Sequence, residues 1–302
     1  MRLLPAPGGR AAMLTTWAIT RLAGAISWKA ARRPVSRLWF TPWRPVVSRN
    51  ASARHRTWLA ETSPITLTVG GKVLEGFTAG EGPTVLLVHG WSDRAASLGA
   101  LVAPLVERGF RVVGIDLPGH GDSPGGRTNA LEMAATIREI DRELGGVDAI
   151  VAHSIGAFVT VLELANGLAP SAVALIAPLV RVDQAIDRFA QQLRLSRGAV
   201  KALRAEIEDT FGRDAWERFS TDLAAPGLDT PALIVHDQDD PETLWSDASL
   251  LAEAWPGARL LTTRGLGHHR VVRDAGVVDA IVEFTADTVW SSAAASRTDG
   301  SQ

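Results

Sequence analysis

The sequence predicts an α/β fold: a mostly parallel sheet with helices on both faces, an N-terminal β-hairpin and a small helical cap insertion. Three observations predict it. Short, continuous apolar runs alternate with helical stretches, as strands buried on both faces require. The Gly70-Gly71 pair separates two strand-like runs just ahead of that alternation. About fifty residues without a strand signal then interrupt it after the fourth apolar run.

Taken in order, residues 65–69 and 73–78 flank the Gly-Gly turn and read as a hairpin. TVLLVHG (84–90) is the first buried strand, and a helix from about Ala95 to Arg108 follows, stopped by Gly109. RVVGID (111–116) leads into the Gly/Pro-rich loop LPGHGDSPGG (117–126). Residues 130–144 have helical spacing, and AIVAH (149–153) runs straight into a helix from Ser154. AVALIAP (172–178), ALIVHD (232–237) and ARLLTT (258–263) continue the sheet, with helices near 244–255 and 270–288. Within 179–229, Val182, Ile186, Phe189 and Leu193 share one helical face. Val200, Leu203, Ile207 and Phe211 share another, and Trp216, Phe219 and Leu223 a third. Three amphipathic helices inserted after a strand's C-terminal end belong above the sheet edge, as a lid where α/β proteins place ligands.

Composition narrows the function classes. With 302 residues, 46% hydrophobic and 21% charged, the chain can bury a sizeable core. It has no cysteine, which excludes disulfides, zinc–cysteine sites, iron–sulfur clusters and a thiol nucleophile. A net charge of −2 gives no bias toward nucleic acid. The charge is unevenly spread, however: residues 1–60 hold eleven Arg and Lys and no acid, and the first acid is Glu61.

Residues 1–60 therefore read as a basic, Trp/Arg-rich extension before a domain at 61–290, with 291–302 expected to be a disordered tail. Residues 11–20 are mildly apolar, but Arg21 and Lys29 follow closely and no small-residue cleavage site marks a secretory signal. The composition also matches an organelle transit peptide. A third reading is peripheral membrane contact through residues 1–45, with Trp17, Trp28, Trp39 and Trp43 at headgroup level and Arg on anionic lipid. On that helical wheel Ile19, Leu22 and Ile26 lie on one flank of the basic arc and Trp17 and Trp28 on the other. A fourth is an extension that packs over the domain and uses its Trp residues as core. The run PVSRLWFTPWRP (34–45) reads as an extended connector, because each Pro disfavours helix before it. The expected location is cytoplasmic, with membrane-surface association if the third reading holds.

The chemistry sits at strand ends. Ala152-His153-Ser154-Ile155-Gly156 lies where a buried strand meets a helix, close to the G-x-S-x-G pattern of a sharp turn that exposes its serine. Ala152 departs from that pattern, and an ordinary N-cap serine is the plainer alternative. A serine hydroxyl needs a base, and the base needs a group to orient it. The loop after one strand reads His236-Asp237-Gln238-Asp239-Asp240-Pro241, and the loop after the next reads Gly265-Leu266-Gly267-His268-His269. Ser, acid, then His at successive strand ends is the chain order of one hydrolase scaffold. His89-Gly90-Trp91 ends another strand, where the Trp91 N–H could join that of Ile155 as an oxyanion hole.

These motifs, with Asp116-Leu117-Pro118-Gly119-His120-Gly121-Asp122-Ser123, resemble the α/β-hydrolases over residues 65–288 or so, and within them bacterial members with an N-terminal extension and a short helical cap. The resemblance implies Ser154 as nucleophile, His268 as base and Asp240 as acid, with Asp239 the alternative if the loop is shifted by one. His269 competes with His268, but Gly267 favours the first of the pair. His89, His120, His153 and Asp116 are expected to be structural. The resemblance implies no cofactor. The histidines and acids lack helical metal-ligand spacing such as H-E-x-x-H, so no metal is expected. A serine at the elbow, where epoxide hydrolases and haloalkane dehalogenases of this fold carry Asp, favours acyl chemistry on a small-molecule carboxylic ester. C–C bond hydrolysis or perhydrolysis with the same triad is the alternative, and a non-catalytic binding protein that keeps the fold is a second.

Overall fold

The computed structural model describes residues 7–42 and 53–299. The chain starts with helices α1 (Pro7–Ile26) and α2 (Trp28–Trp39) and a short α3 (Ala53–Trp58). Strands β1 (Ser63–Val69) and β2 (Lys72–Ala79) form the hairpin around Gly70 and Gly71, whose φ of 55° and 73° explain the choice of glycine. Then come β3 (Thr84–Val88), α4 (Val102–Glu107), β4 (Arg111–Ile115), α5 (Ala130–Leu144), β5 (Ala149–His153), α6 (Ile155–Ala165) and β6 (Ala172–Ile176). The insertion holds α7 (Val182–Gln192), α8 (Arg197–Phe211), α9 (Ala215–Arg218) and α10 (Thr221–Ala224). The chain closes with β7 (Ala232–Asp237), α11 (Trp245–Ala254), β8 (Arg259–Thr263), α12 (Gly267–Arg270) and α13 (Ala275–Asp299).

All eight strands join one sheet in the order β1-β2-β4-β3-β5-β6-β7-β8. The hairpin pairs antiparallel, β2 joins β4 antiparallel, and the remaining pairs are parallel. Alternate side chains split the core into two layers. Val85, Leu87, Val112, Val151 and Ala174 face α4 and α13, while Leu86, Val88, Val113, Ile150 and Leu175 face α5, α6 and the inserted helices. The chain leaves β3 for β4 on one side and later returns to place β5 on the other. This reversal opens a crevice at the C-terminal ends of β3 and β5, where open α/β sheets bind ligands.

Several segments depart from expectation, each for a local reason. The helix expected from Ala95 is 3-10 over Ala95–Leu101 and becomes α-helical only at α4. Pro104 sits in the first turn of α4, where a missing N–H is harmless. Residues 34–39 are helical rather than extended, with Pro34 inside α2. Ala31, Val35 and Leu38 are fully buried, and that packing outweighs the proline's lost hydrogen bond. The expected tail at 291–302 is helical as far as Asp299, because Ala293, Ala294 and Ala295 extend α13 and the first glycine comes at 300.

The two leading helices are built onto the insertion. α1 and α2 both pack on α8. At the crossing of α1 and α8 the backbones nearly touch: a Cβ on Gly24 would lie 2.3 Å from Ser196 Oγ, and one on Gly198 would lie 2.1 Å from the Gly24 carbonyl oxygen. Only glycine at both positions allows that approach. Arg32 donates to Glu206 at 2.8 Å and Asp209 at 2.6 Å on α8, and the Trp17 Nε1–H donates to the Leu193 carbonyl at 2.7 Å. Gly198→Val is expected to lift α1 away and raise amide exchange in α1 while the sheet stays protected. Hydrogen–deuterium exchange reads this directly, and unchanged protection of α1 would contradict the crossing.

Candidate active site

The switch-point crevice carries Ser154 at its centre. β5 is buried along its whole length, so the chain must turn sharply to enter α6 directly above it. Ser154 makes that turn with φ 57° and ψ −121°, a strained conformation for a residue with a Cβ. The turn is pinned by the Ser154 N–H donating to the Ile176 carbonyl at 3.0 Å. Gly156 is required by contact, since a Cβ there would lie 2.5 Å from the His89 carbonyl oxygen and 2.6 Å from that of Val88. Ala152, two residues before Ser154, is fully buried between Val88 and Leu175.

The other sequence-predicted residues converge on this serine. His268 Nε2 lies 3.0 Å from Ser154 Oγ, and His268 Nδ1 lies 2.7 Å from Asp240 Oδ2. Asp240 also accepts the Glu242 N–H at 2.7 Å, the Thr243 N–H at 3.1 Å and the Thr243 hydroxyl at 3.0 Å. Burial by itself would push this carboxyl up. The His268 hydrogen bond and charge, with the two backbone donors, outweigh it and pull the group down to about 2. With the carboxylate ionised, the Nδ1–H is held toward Asp240 and the Nε2 lone pair faces the serine.

The alternative residues lie elsewhere. Asp239 accepts the Gly265 N–H at 2.9 Å instead of reaching His268. His269 is partly exposed and pairs with Glu242 at 3.0 Å. That hydrogen bond raises the His269 imidazole, and it lowers the Glu242 carboxyl against the opposing effect of burial. Trp91 and Ile155 border the same cavity as Ser154, and among the described residues no hydrogen bond takes up either backbone N–H.

The surrounding histidines brace the loops. His89 Nδ1–H donates to the Gly90 carbonyl at 2.8 Å and its Nε2 accepts the Leu117 N–H at 3.0 Å. His153 donates from Nε2 to the His268 carbonyl at 3.0 Å, which fixes the backbone of the residue facing Ser154. Burial, then repulsion from His268 and His269, keeps His153 neutral. Asp116 accepts the Ala95 and Asp122 N–H groups at 2.8 Å each and ties two loops together.

Three features escaped sequence reasoning. Asp237 accepts from the Asp239 N–H at 3.0 Å, the Thr263 hydroxyl at 2.7 Å and the Leu266 N–H at 3.0 Å. It thus clamps the acid loop to the loop that carries His268. Glu242 brings a second carboxylate to 3.9 Å from His268 Nε2. Trp39 and Phe40 from the N-terminal segment line the cavity. Asp237 and Glu242 share short loops with the predicted acid, a weak signal; Trp39 falls under the reading of an extension that uses its Trp residues as core, and nothing in the sequence pointed to Phe40.

The cavity has a volume of about 250 Å³ and is mainly apolar, lined by Leu179, Val182, Phe189 and Phe211 together with the polar Asp93, Arg188, Glu242 and His269. It is small beside typical ligand pockets of roughly 300–1,000 Å³. Among the described residues no cluster of His, Asp or Glu could hold a metal ion, and no helix is long and apolar enough to cross a membrane.

Comparison with known proteins agrees with this architecture. Residues 85–280 match the model of the alpha/beta hydrolase family. The chain is 41% identical over 99 residues to a pimeloyl-[acyl-carrier protein] methyl ester esterase of Methylococcus capsulatus, covering 32% of this chain and 36% of that one. It is 26% identical over 133 residues to protein phosphatase methylesterase 1 of Bos taurus, covering 41% of this chain and 35% of the relative. The chain thus spans about a third of the length of these two relatives. An esterase of Pyrococcus furiosus superposes with a TM-score of 0.62 at 16% identity, over 78% of this chain and 96% of that one.

The depressed Asp240 carboxyl has a consequence for acid stability. Its folded value of about 2 lies below the ordinary 3.8, so its contribution is complete above pH 4 and is lost as pH falls toward 2. That contribution is roughly 2 kcal/mol. Urea unfolding between pH 6 and pH 2.5 is expected to show the loss in the wild type and a flatter acid limb in Asp240→Asn; parallel limbs would contradict it.

Proposed function

The chain belongs to the alpha/beta hydrolase family, and from that premise we propose that it is a serine hydrolase that cleaves a small carboxylic ester through an acyl-enzyme. The observation that carries the proposal is the line of contacts from Ser154 Oγ through both nitrogens of His268 to Asp240, at 3.0 and 2.7 Å, on the border of an apolar cavity.

In this reading Ser154 Oγ attacks the ester carbonyl while His268 Nε2 takes its proton. Asp240 holds the imidazole and offsets the charge it gains. The carbonyl oxygen, now an anion, accepts from the backbone N–H groups of Trp91 and Ile155, an arrangement whose loss costs roughly 100-fold or more in rate. Collapse of the tetrahedral species breaks the C–O bond and His268 returns the proton to the leaving alcohol. Water, deprotonated by the same imidazole, then releases the acid and restores Ser154. The two relatives named above are methyl ester esterases, which supports an ester as substrate. C–C bond hydrolysis and perhydrolysis would use the same residues, and substrate profiling separates them.

We further propose that the protein contacts an anionic membrane surface through α1. The specific observation is its outward face: Leu14, Ile19, Leu22 and Ile26 are 51–78% exposed, and Arg21, Lys29, Arg33 and Arg37 beside them face solvent. The absence of any acid in the first 60 residues complements anionic lipid. The tryptophans expected at headgroup level serve otherwise. Trp17 bonds to the Leu193 carbonyl just past α7, Trp28 packs on the core and Trp39 borders the cavity; Trp43 lies outside the described residues.

Two measurements test these proposals. Fluorophosphonate labelling and p-nitrophenyl ester hydrolysis are expected to vanish in Ser154→Ala, and to fall about 10³-fold or more in Asp240→Ala and His268→Ala. Asp239→Ala should retain activity within a few-fold. A folded wild type that neither labels nor turns over any ester would overturn the enzymatic reading. Separately, phosphatidylglycerol vesicles at low salt should co-sediment the wild type but not Leu22→Asp/Ile26→Asp, while phosphatidylcholine vesicles should bind neither; equal binding of both proteins would remove the membrane contact.

A further inference from the structure

The cavity beside Ser154 is bounded by segments about 150 to 170 residues apart in the chain. Phe189 and Phe211 come from the inserted helices, and Trp39 and Phe40 from the end of α2. Trp39 stands edge-on to Phe189 with ring centroids 5.1 Å apart, and Phe40 meets Phe211 at 6.1 Å. Edge-to-face aromatic pairs at such distances are favourable and directional, so each fixes the orientation of its partner. Phe40 is buried, and Trp39 is half-buried on the cavity side of α2.

These two residues are anchored from several directions. The Phe40 carbonyl accepts the Thr128 N–H at 3.0 Å, the Arg127 guanidinium lies over the Phe40 ring at 5.8 Å, and Arg127 also donates to Ser36 Oγ at 3.0 Å. On the other side Arg32 grips Glu206 and Asp209 of α8. The end of α2 is thus held between the 127–128 loop of the sheet domain and the insertion. A segment held this way cannot be an appendage independent of the pocket.

We propose that Trp39 and Phe40 form part of the acyl-binding wall and set which acyl chain length the enzyme prefers, so that the basic N-terminal segment is a specificity element of the active site. The inference rests on the ester-hydrolase reading for its kinetic arm only. An acyl chain fits the chemistry of this wall, because the Trp39 and Phe40 rings with Leu179, Val182 and Ile207 offer mainly apolar contact. The polar side chains of Asp93, Glu242 and His269 leave the rest of the cavity to the ester and its alcohol.

The test compares wild type, Trp39→Ala, Trp39→Phe and Phe40→Leu across p-nitrophenyl esters from acetate to palmitate. Trp39→Ala is expected to lower kcat/KM for the best wild-type ester by roughly tenfold and to move the optimum to longer chains. Trp39→Phe should restore most of the wild-type profile. Labelling of Ser154 by a small fluorophosphonate, alongside circular dichroism, checks that each variant is folded with a reactive serine. A chemistry-independent arm measures binding of free fatty acids of eight to sixteen carbons by calorimetry, where the preferred length should shift in the same direction. An unchanged chain-length profile and unchanged fatty-acid preference in folded Trp39→Ala and Phe40→Leu would overturn the proposal. Absence of labelling and turnover in the wild type would instead sink the hydrolase reading, and the calorimetric arm would still decide whether Trp39 and Phe40 wall the pocket.

Discussion

The close approach of α6 to the end of β3 constrains everything else at this site. Gly156 lies against the carbonyl oxygens of Val88 and His89, a contact no side chain permits. That approach forces Ser154 into its left-handed turn, at a cost on the order of 1–3 kcal/mol. The cost is offset by strands buried along their full length on either side, which leave the chain no room to relax. The same approach places the Gly90–Trp91 peptide beside the serine, so one packing contact positions both the hydroxyl and the loop that faces it.

Around that turn, the loops are joined by carboxylates that accept backbone N–H groups. Asp240 gathers the Glu242 and Thr243 amides, Asp237 those of Asp239 and Leu266, Asp116 those of Ala95 and Asp122, and Asp239 that of Gly265. Hydrogen bonds to charged acceptors are stronger than neutral ones and are geometrically demanding. In the folded protein Asp237 joins the two loops that bring Asp240 and His268 together.

The sheet was legible from the sequence because a strand buried on both faces is a short apolar run, and six such runs stand between helical stretches. The hairpin was legible because Gly70 and Gly71 need positive φ. For the candidate site, Ser154, Asp240 and His268 stood out because each ends a strand, and strand ends converge whatever the loops do. Asp240 was preferred to Asp239 only through the resemblance, since a shift of one residue changes which carboxylate points at the imidazole; in the structure that carboxylate is Asp240. The N-terminal segment was the least legible. Its residues 34–39 are helical despite Pro34 because Val35 and Leu38 are buried and Arg32 and Ser36 bond to Glu206, 174 and 170 residues away, and no local pattern carries that information.

The pairing of α2 with α8 also has a consequence during synthesis. Arg32 and Glu206 are 174 residues apart in the chain, as far as Trp17 and Leu193, at 176. At about 5–20 residues per second a ribosome needs roughly 10–35 s to make the stretch between them. Throughout that interval the apolar side of α2 has no α8 to pack against, and the nascent chain carries an unpaired amphipathic helix with its cluster of positive charge. Helix α2 is therefore made about 170 residues before the helix it pairs with, and its exposure to chaperones, lipid or aggregation over that interval is set by the rate of translation.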